Sequence, residues 1–236
     1  MDNKELPANP ESRHREIRSY VLRAGRLTRA QERALTEIWP RFGIPAMTTG
    51  GALLELDDLF GRDAPRILEI GIGNGAALLG MAAGNPDRDY LGAEVHAPGI
   101  GHCLLEIERL GLTNVRLLME DAVGVLDERL RDHSLTGLHL FFPDPWHKKR
   151  HHKRRLVQPP FVEMMARKLV DDGYFHVATD WPPYAEHIAE VLAASGHFGT
   201  GIDPASGSSR PRTRFEARGQ RLGHPIWERI YPRCAA

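Results

Sequence analysis

The stretch Arg66 to Ala76, RILEIGIGNGA, decides how the rest of the chain is read. Ile67, Leu68 and Ile70 form an apolar run of strand length, and glycines at 71, 73 and 75 follow it at once. Glycine lets the backbone turn tightly and approach a ligand closely, and the helix that begins after the turn presents unpaired N–H groups. Strand, glycine-rich turn and helix in succession open a nucleotide-binding α/β unit. The string also satisfies the dinucleotide fingerprint G-x-G-x-x-A, so alone it does not choose a cofactor.

Downstream, strand-like runs alternate with helix-like segments. DYLGAEV is followed by 98–110, NVRLLM by 122–131, LHLFF by 160–170, and YFHVAT by a helix over 183–194. This alternation predicts a mostly parallel sheet with helices on both faces. Pro98 and Pro160 suit first helical turns, and Asp172-Gly173 makes a turn into the fifth strand. Beyond Ser195, GIDPASGSSRPR reads as a loop before a last apolar segment, HPIWERIY. Upstream, Thr28 and Gln31 form a capping-box pattern for a lead-in helix carrying Ala34, Leu35, Ile38 and Trp39 on one face, which Pro40 is expected to stop. Before it lies a polar arm with Arg13, Arg15, Arg18, Arg23 and Arg26. The expected organisation is an arm and lead-in helix over 1–45 and one α/β domain over 46–236.

The chain has 236 residues, 42% hydrophobic and 26% charged, which is ordinary for a globular protein. No apolar stretch is long enough for a membrane span, and the first residues lack the apolar core of a signal peptide, so a cytoplasmic location is expected. Two cysteines, 103 and 234, fit incidental thiols in a reducing compartment. Lys plus Arg and Asp plus Glu balance at 31 each. Their distribution is uneven, because six cations fall within the eight residues Lys148 to Arg155.

Open parallel sheets bind ligands beyond the carboxyl ends of their strands. The five strands expected from Arg66 onward carry Glu69, Glu94, Asp121, Asp144 and Asp180 close to those ends. Glu69 interrupts an apolar strand, where an ionised side chain is costly to bury unpaired. Glu94 ends the second of these strands, where an acid can accept ribose hydroxyl protons. A dinucleotide brings a pyrophosphate, whereas S-adenosyl-L-methionine brings a net positive charge. An acid-rimmed site suits the cation, although capping and surface pairing account equally well for any single one of Asp121, Asp144 or Asp180.

LHLFFPDPWHKKRHHKRRL follows the fourth of these strands. Pro143 and Pro145 stiffen a loop that carries Asp144 and Trp146, and the indole can stack on a base or simply pack. Lys148, Lys149, Arg150, Lys153, Arg154 and Arg155, with His147, His151 and His152 interleaved, suit phosphate contact. The same cations oppose a metal ion at those histidines.

The strings ILEIGIGNG, GAEVHAPGIG, EDAV, FFPDPWHKKRHHKRRLVQPPF, ATDWPPYAEH and TRFEARGQRLGH resemble, in order and spacing, the bacterial tRNA (guanine-N7)-methyltransferase family. The resemblance implies a Rossmann-like class I methyltransferase fold with an antiparallel last strand, S-adenosylmethionine as methyl donor and tRNA as partner. It also implies transfer to N7 of the variable-loop guanosine, position 46 in tRNA numbering. By matched motif, Glu69, Gly71, Gly73, Glu94, Asp121 and Asp144 would bind the cofactor, with Asp144 also catalytic. Lys148, Asp180, Thr213, Arg214, Phe215 and Glu216 would bind substrate. Arg150, His151, His152, Lys153, Arg154 and Arg155 would lie on RNA. Arg214 departs from the lysine usual there. Neither a metal nor an obligate protein partner is implied. The rival readings are a methyltransferase for another RNA base, a nicotinamide dehydrogenase, and a non-catalytic RNA-binding module.

Overall fold

Every residue of β2 (Arg66–Ile70) is buried, because the sheet it centres is covered on both faces. The computed structural model describes residues 19–20, 25–46, 52–204, 210–211, 213–221, 223 and 225–235. Arg13, Arg15, Arg18 and Arg23 of the expected arm lie outside them. The other strands are β1 (Gly43–Ile44), β3 (Asp89–Ala93), β4 (Val115–Leu118), β5 (Leu135–Phe141), β6 (Leu169–Thr179) and β7 (Trp227–Pro232). They form one sheet in the order β1-β4-β3-β2-β5-β6-β7. All pairings are parallel except β6 with β7, which is antiparallel. Strand order reverses between β2 and β5, so the crevice for a ligand opens beyond their carboxyl ends.

Strand residues alternate between two cores. Leu68, Ile70, Leu91, Leu138 and Phe175 pack beneath α7 (Pro159–Lys168) and α8 (Pro182–Ser195). Ile67, Tyr90, Val115 and Leu117 pack on the other face beneath α1 (Arg29–Glu37), α4 (Ala76–Gly84) and α5 (Ala97–Leu110). Each fully buried Leu or Ile contributes roughly 1.5–3 kcal/mol relative to exposure.

The capping box forms as expected, with Gln31 N–H donating to Thr28 and the Gln31 side chain accepting from the Thr28 N–H. Pro40 does not stop the lead-in segment. It sits in the first turn of a second short helix, α2 (Trp39–Phe42), where its missing N–H costs nothing. The chain then enters β1, which pairs with β4. A division at residue 45 therefore falls just behind a strand of the same sheet, and α1 belongs with the fold because it packs on α5. The helix expected over 122–131 is instead a single turn, α6 (Ala122–Gly124), followed by a π-helix over Val125–Arg129. Arg129, at its end, is buried and ion-paired with Glu120. No helix among the described residues is long and apolar enough to cross a membrane.

Candidate functional site

The glycine turn after β2 holds Gly71 at φ +71° and Gly73 at φ +56°, the left-handed region that side chains disfavour. A Cβ on Gly71 would meet none of the described residues within 4 Å, so on their side that position is open. Glu94, just past β3, fixes the turn from the side. Its Oε2 accepts the Gly73 N–H at 2.9 Å, while Oε1 accepts the N–H groups of Val95 at 2.8 Å and His96 at 2.9 Å. A carboxylate offers about four lone-pair directions, so three backbone donors leave Glu94 room for one more.

The space in front is a cavity of about 380 Å³ at the carboxyl ends of β2, β3, β4 and β5. Its apolar wall includes Val95, Ala122, Val123, Leu140 and Phe142, which suits a flat ring. Four acids line it, Glu94, Glu120, Asp121 and Asp144, and none of its lining residues among those described is Lys or Arg. Asp121 caps α6 by accepting the Val123 N–H at 3.1 Å. Gly71, Gly73, Glu94, Asp121 and Asp144 are thus brought together as expected from sequence.

Glu69 is not part of that lining. It is 3% exposed on the opposite face of β2, with Oε2 lacking a hydrogen-bond partner among the described residues. Burial pushes its carboxyl up to about 8, against the downward pull of the Arg210 charge.

The loop after β5 contains two non-glycine residues in the left-handed region, Phe142 at φ +52° and Trp146 at φ +49°. Such conformations cost about 1–3 kcal/mol each and persist only where surroundings enforce them. For Trp146 the enforcement is visible. Its indole N–H donates to the Ser19 carbonyl at 3.0 Å, and the Arg154 guanidinium stacks 3.8 Å above its ring. Arg154 also donates to the Tyr20 carbonyl at 3.2 Å. Trp146 is therefore packed, and Ser19 and Tyr20 contribute to the cavity wall.

The basic run winds into a 3-10 helix over Lys149–Arg154 beside this loop. Lys148, Lys149, Arg150 and Lys153 are exposed, while His151, His152 and Arg154 are half-buried. Desolvation, then the charges of Arg150, Arg154, Lys148 and Lys153, keep the His151 imidazole below its usual range. Arg155 corrects the sequence expectation. It is buried, donating to the carbonyls of Pro145 at 3.0 Å and Pro183 at 3.3 Å, and lies over the Tyr184 ring. It ties the proline loop to α8 and does not face solvent, where RNA would be met.

The carboxyl-terminal motif forms α9 (Arg214–Arg221). Thr213 precedes it, accepting the Glu216 N–H at 3.1 Å. Glu216 itself is buried and accepts from Arg210 at 2.9 Å. Asp180, just past β6, lies so close to α9 that a Cβ on Gly219 would stand 2.9 Å from its Oδ2. The side chains of Arg214 and Phe215 lie outside the described residues. Sequence reasoning missed Glu120, Tyr20 and Arg210. For Arg210 the sequence offers no distinguishing signal, since it is one of several arginines between 210 and 221.

Residues 63–229 match the family described as putative methyltransferase. Similar proteins named tRNA (guanine-N(7)-)-methyltransferase include one from Chromohalobacter salexigens, 50% identical over 98% of this chain and 96% of the relative. Another, from Alkalilimnicola ehrlichii, is 52% identical over 96% of this chain and 97% of the relative. Among solved structures, the 16S rRNA methyltransferase KamB superposes with a TM-score of 0.57 at 18% identity, covering 77% of this chain and 93% of that one. That likeness establishes the fold, a class I methyltransferase sheet. Identity near one half along almost the whole length establishes more: the chain belongs to the tRNA (guanine-N7)-methyltransferase family.

Proposed function

We propose that this protein transfers a methyl group from S-adenosylmethionine to N7 of a guanosine in tRNA, at position 46 of the variable loop. The observation that carries the reading is the cavity lined by Glu94, Glu120, Asp121 and Asp144 opening beside a strip of exposed cations. Four carboxylates, one of them paired with Arg129, and no Lys or Arg among the described lining residues suit a cationic donor and would repel a pyrophosphate. The lone pair left on Glu94 fits a ribose hydroxyl, the open face of Gly71 fits close approach of the ligand, and the apolar wall fits adenine.

When bound, the donor supplies an electrophilic methyl group on a positively charged sulfur. Guanine N7 carries an in-plane lone pair and no proton, so no residue need act as a base. The residues' task is alignment and stabilisation of the positive charge that reaches the purine. Asp144, on the rigid proline loop at the cavity edge, is placed for the charge. Lys148, Lys149, Arg150 and Lys153 hold phosphates, with His151, His152 and Arg154 beside them. Reading of guanine N1–H and N2–H is assigned to Asp180, which lies against α9 at Gly219, with Thr213 and the start of α9 shaping that side.

The test is transfer of labelled methyl to two tRNA transcripts, one with guanosine and one with 7-deazaguanosine throughout. Label in the first and none in the second supports the reading, and equal label in both refutes it.

A further inference from the structure

Arg210 stands before the carboxyl-terminal motif, and its side chain is 2% exposed. Its Nε and Nη2 donate to the two oxygens of Glu228 on β7, at 3.2 and 2.8 Å. Its Nη1 donates to Glu216 at the start of α9, at 2.9 Å. The guanidinium carbon lies 5.1 Å from the centre of the Phe141 ring and 5.5 Å from that of Phe142, both of which line the cavity. Glu228 is fixed in turn. Against the upward push of burial, hydrogen bonds from His176, at 2.7 Å, and from Arg210 hold its carboxyl down to about 2. Pro211 presses so closely on α4 that a Cβ on Gly80 would meet its ring at 2.1 Å. One planar cation thus joins the edge strand, the substrate-side helix and the cavity wall.

We propose that Arg210 is a positioning residue for methyl transfer, setting where the Thr213–Glu216 segment and α9 stand relative to the donor cavity. This rests on the methyl-transfer reading above. Only a guanidinium can engage one carboxylate through two parallel bonds, donate to a second and lie against two aromatic rings; an ammonium has the charge without the fork. Removing it alone would also leave the buried Glu216 carboxylate without the guanidinium that pairs it.

Two variants test the role, Arg210→Lys and the double variant Arg210→Met/Glu228→Gln. The double variant loses one positive and one negative charge, so the cluster's net charge is unchanged. For each, the thermal transition, S-adenosylmethionine affinity by calorimetry, and kcat and KM on tRNA are measured beside the wild type. The expected result is a cooperative transition, donor affinity within about twofold, and kcat lower by about tenfold or more, the loss that one misplaced charge-assisted hydrogen bond carries. A folded variant with wild-type kcat and KM overturns the proposal. So does failure of both variants to fold, which assigns Arg210 to structural support alone. If the wild type transfers no methyl to tRNA, the functional reading fails first and the proposal with it.

Discussion

The backbone N–H of Gly73 donates to Oε2 of Glu94 across 2.9 Å, so the acid at the end of β3 holds the glycine turn at the end of β2. Two strand ends are locked together where the donor would lie. Glu94→Gln keeps the side chain's size and removes its charge, leaving one acceptor oxygen for three backbone donors. S-adenosylmethionine affinity is expected to fall by about tenfold or more while tRNA retention at low salt is unchanged. Calorimetry and a filter-binding assay read the two effects. Unaltered donor affinity would remove Glu94 from the site.

Gly219 and Asp180 make a second sensitive pair. A methyl on Gly219 would stand 2.9 Å from the Asp180 carboxylate, which must then move. Alanine is the better helix former, by about 1 kcal/mol, so Gly219→Ala should not unfold α9. Methyl transfer is expected to drop about tenfold, as it should in Asp180→Asn, with donor binding intact in both. Full turnover in either variant would dissociate Asp180 from substrate recognition.

Glu69 predicts a pH dependence of stability. Burial raises its carboxyl from an ordinary 4.5 to about 8 in the folded chain. Below the unfolded value both states are protonated and no penalty exists. As pH rises from there, the unfolded carboxyl ionises first, and stability is progressively lost until the folded pKa is passed. Glu69→Gln removes this loss. The variant should melt higher than the wild type near pH 8 and at the same temperature near pH 4. Parallel melting curves at all pH values would show that the buried carboxyl titrates normally.

The basic helix and Arg155 should separate cleanly. Replacing Lys149, Arg150 and Lys153 with Gln is expected to weaken tRNA binding and flatten its salt dependence, by roughly 0.7–0.9 in the log–log slope for each phosphate no longer neutralised. Arg155→Gln should leave that slope alone and lower the melting temperature, because its guanidinium joins Pro145 to Pro183 inside the protein. A flattened slope in Arg155→Gln would return that residue to the RNA surface.

The long periodic elements were readable because their apolar spacing is imposed by burial on two faces. Strands β2 to β5 and helices α4, α5, α7 and α8 fall where the alternation puts them, and the Thr28–Gln31 capping box marks a real helix start, whereas β6 begins at Leu169 and runs through Asp172-Gly173, which is an irregularity within the strand and not a turn before it. Strand β1 was invisible because two residues carry no period. The π-helix at Val125–Arg129 has the same apolar content as an α-helix, so composition cannot distinguish them. Within the site, the acids at strand ends were legible, since topology alone delivers them to one edge. Arg155 was misplaced because whether a charged side chain turns inward depends on partners distant in sequence. Arg155 finds carbonyls on two other segments, and Arg210 finds Glu228 through a pairing the motif spacing does not encode.

Methylation of one guanosine nitrogen in tRNA is read directly by mass spectrometry of the product. Unmodified tRNA incubated with the protein and S-adenosylmethionine, then digested to nucleosides and to mapped fragments, should contain 7-methylguanosine confined to position 46. Methyl groups on an exocyclic amine, at another base, or nowhere in the tRNA would contradict the account.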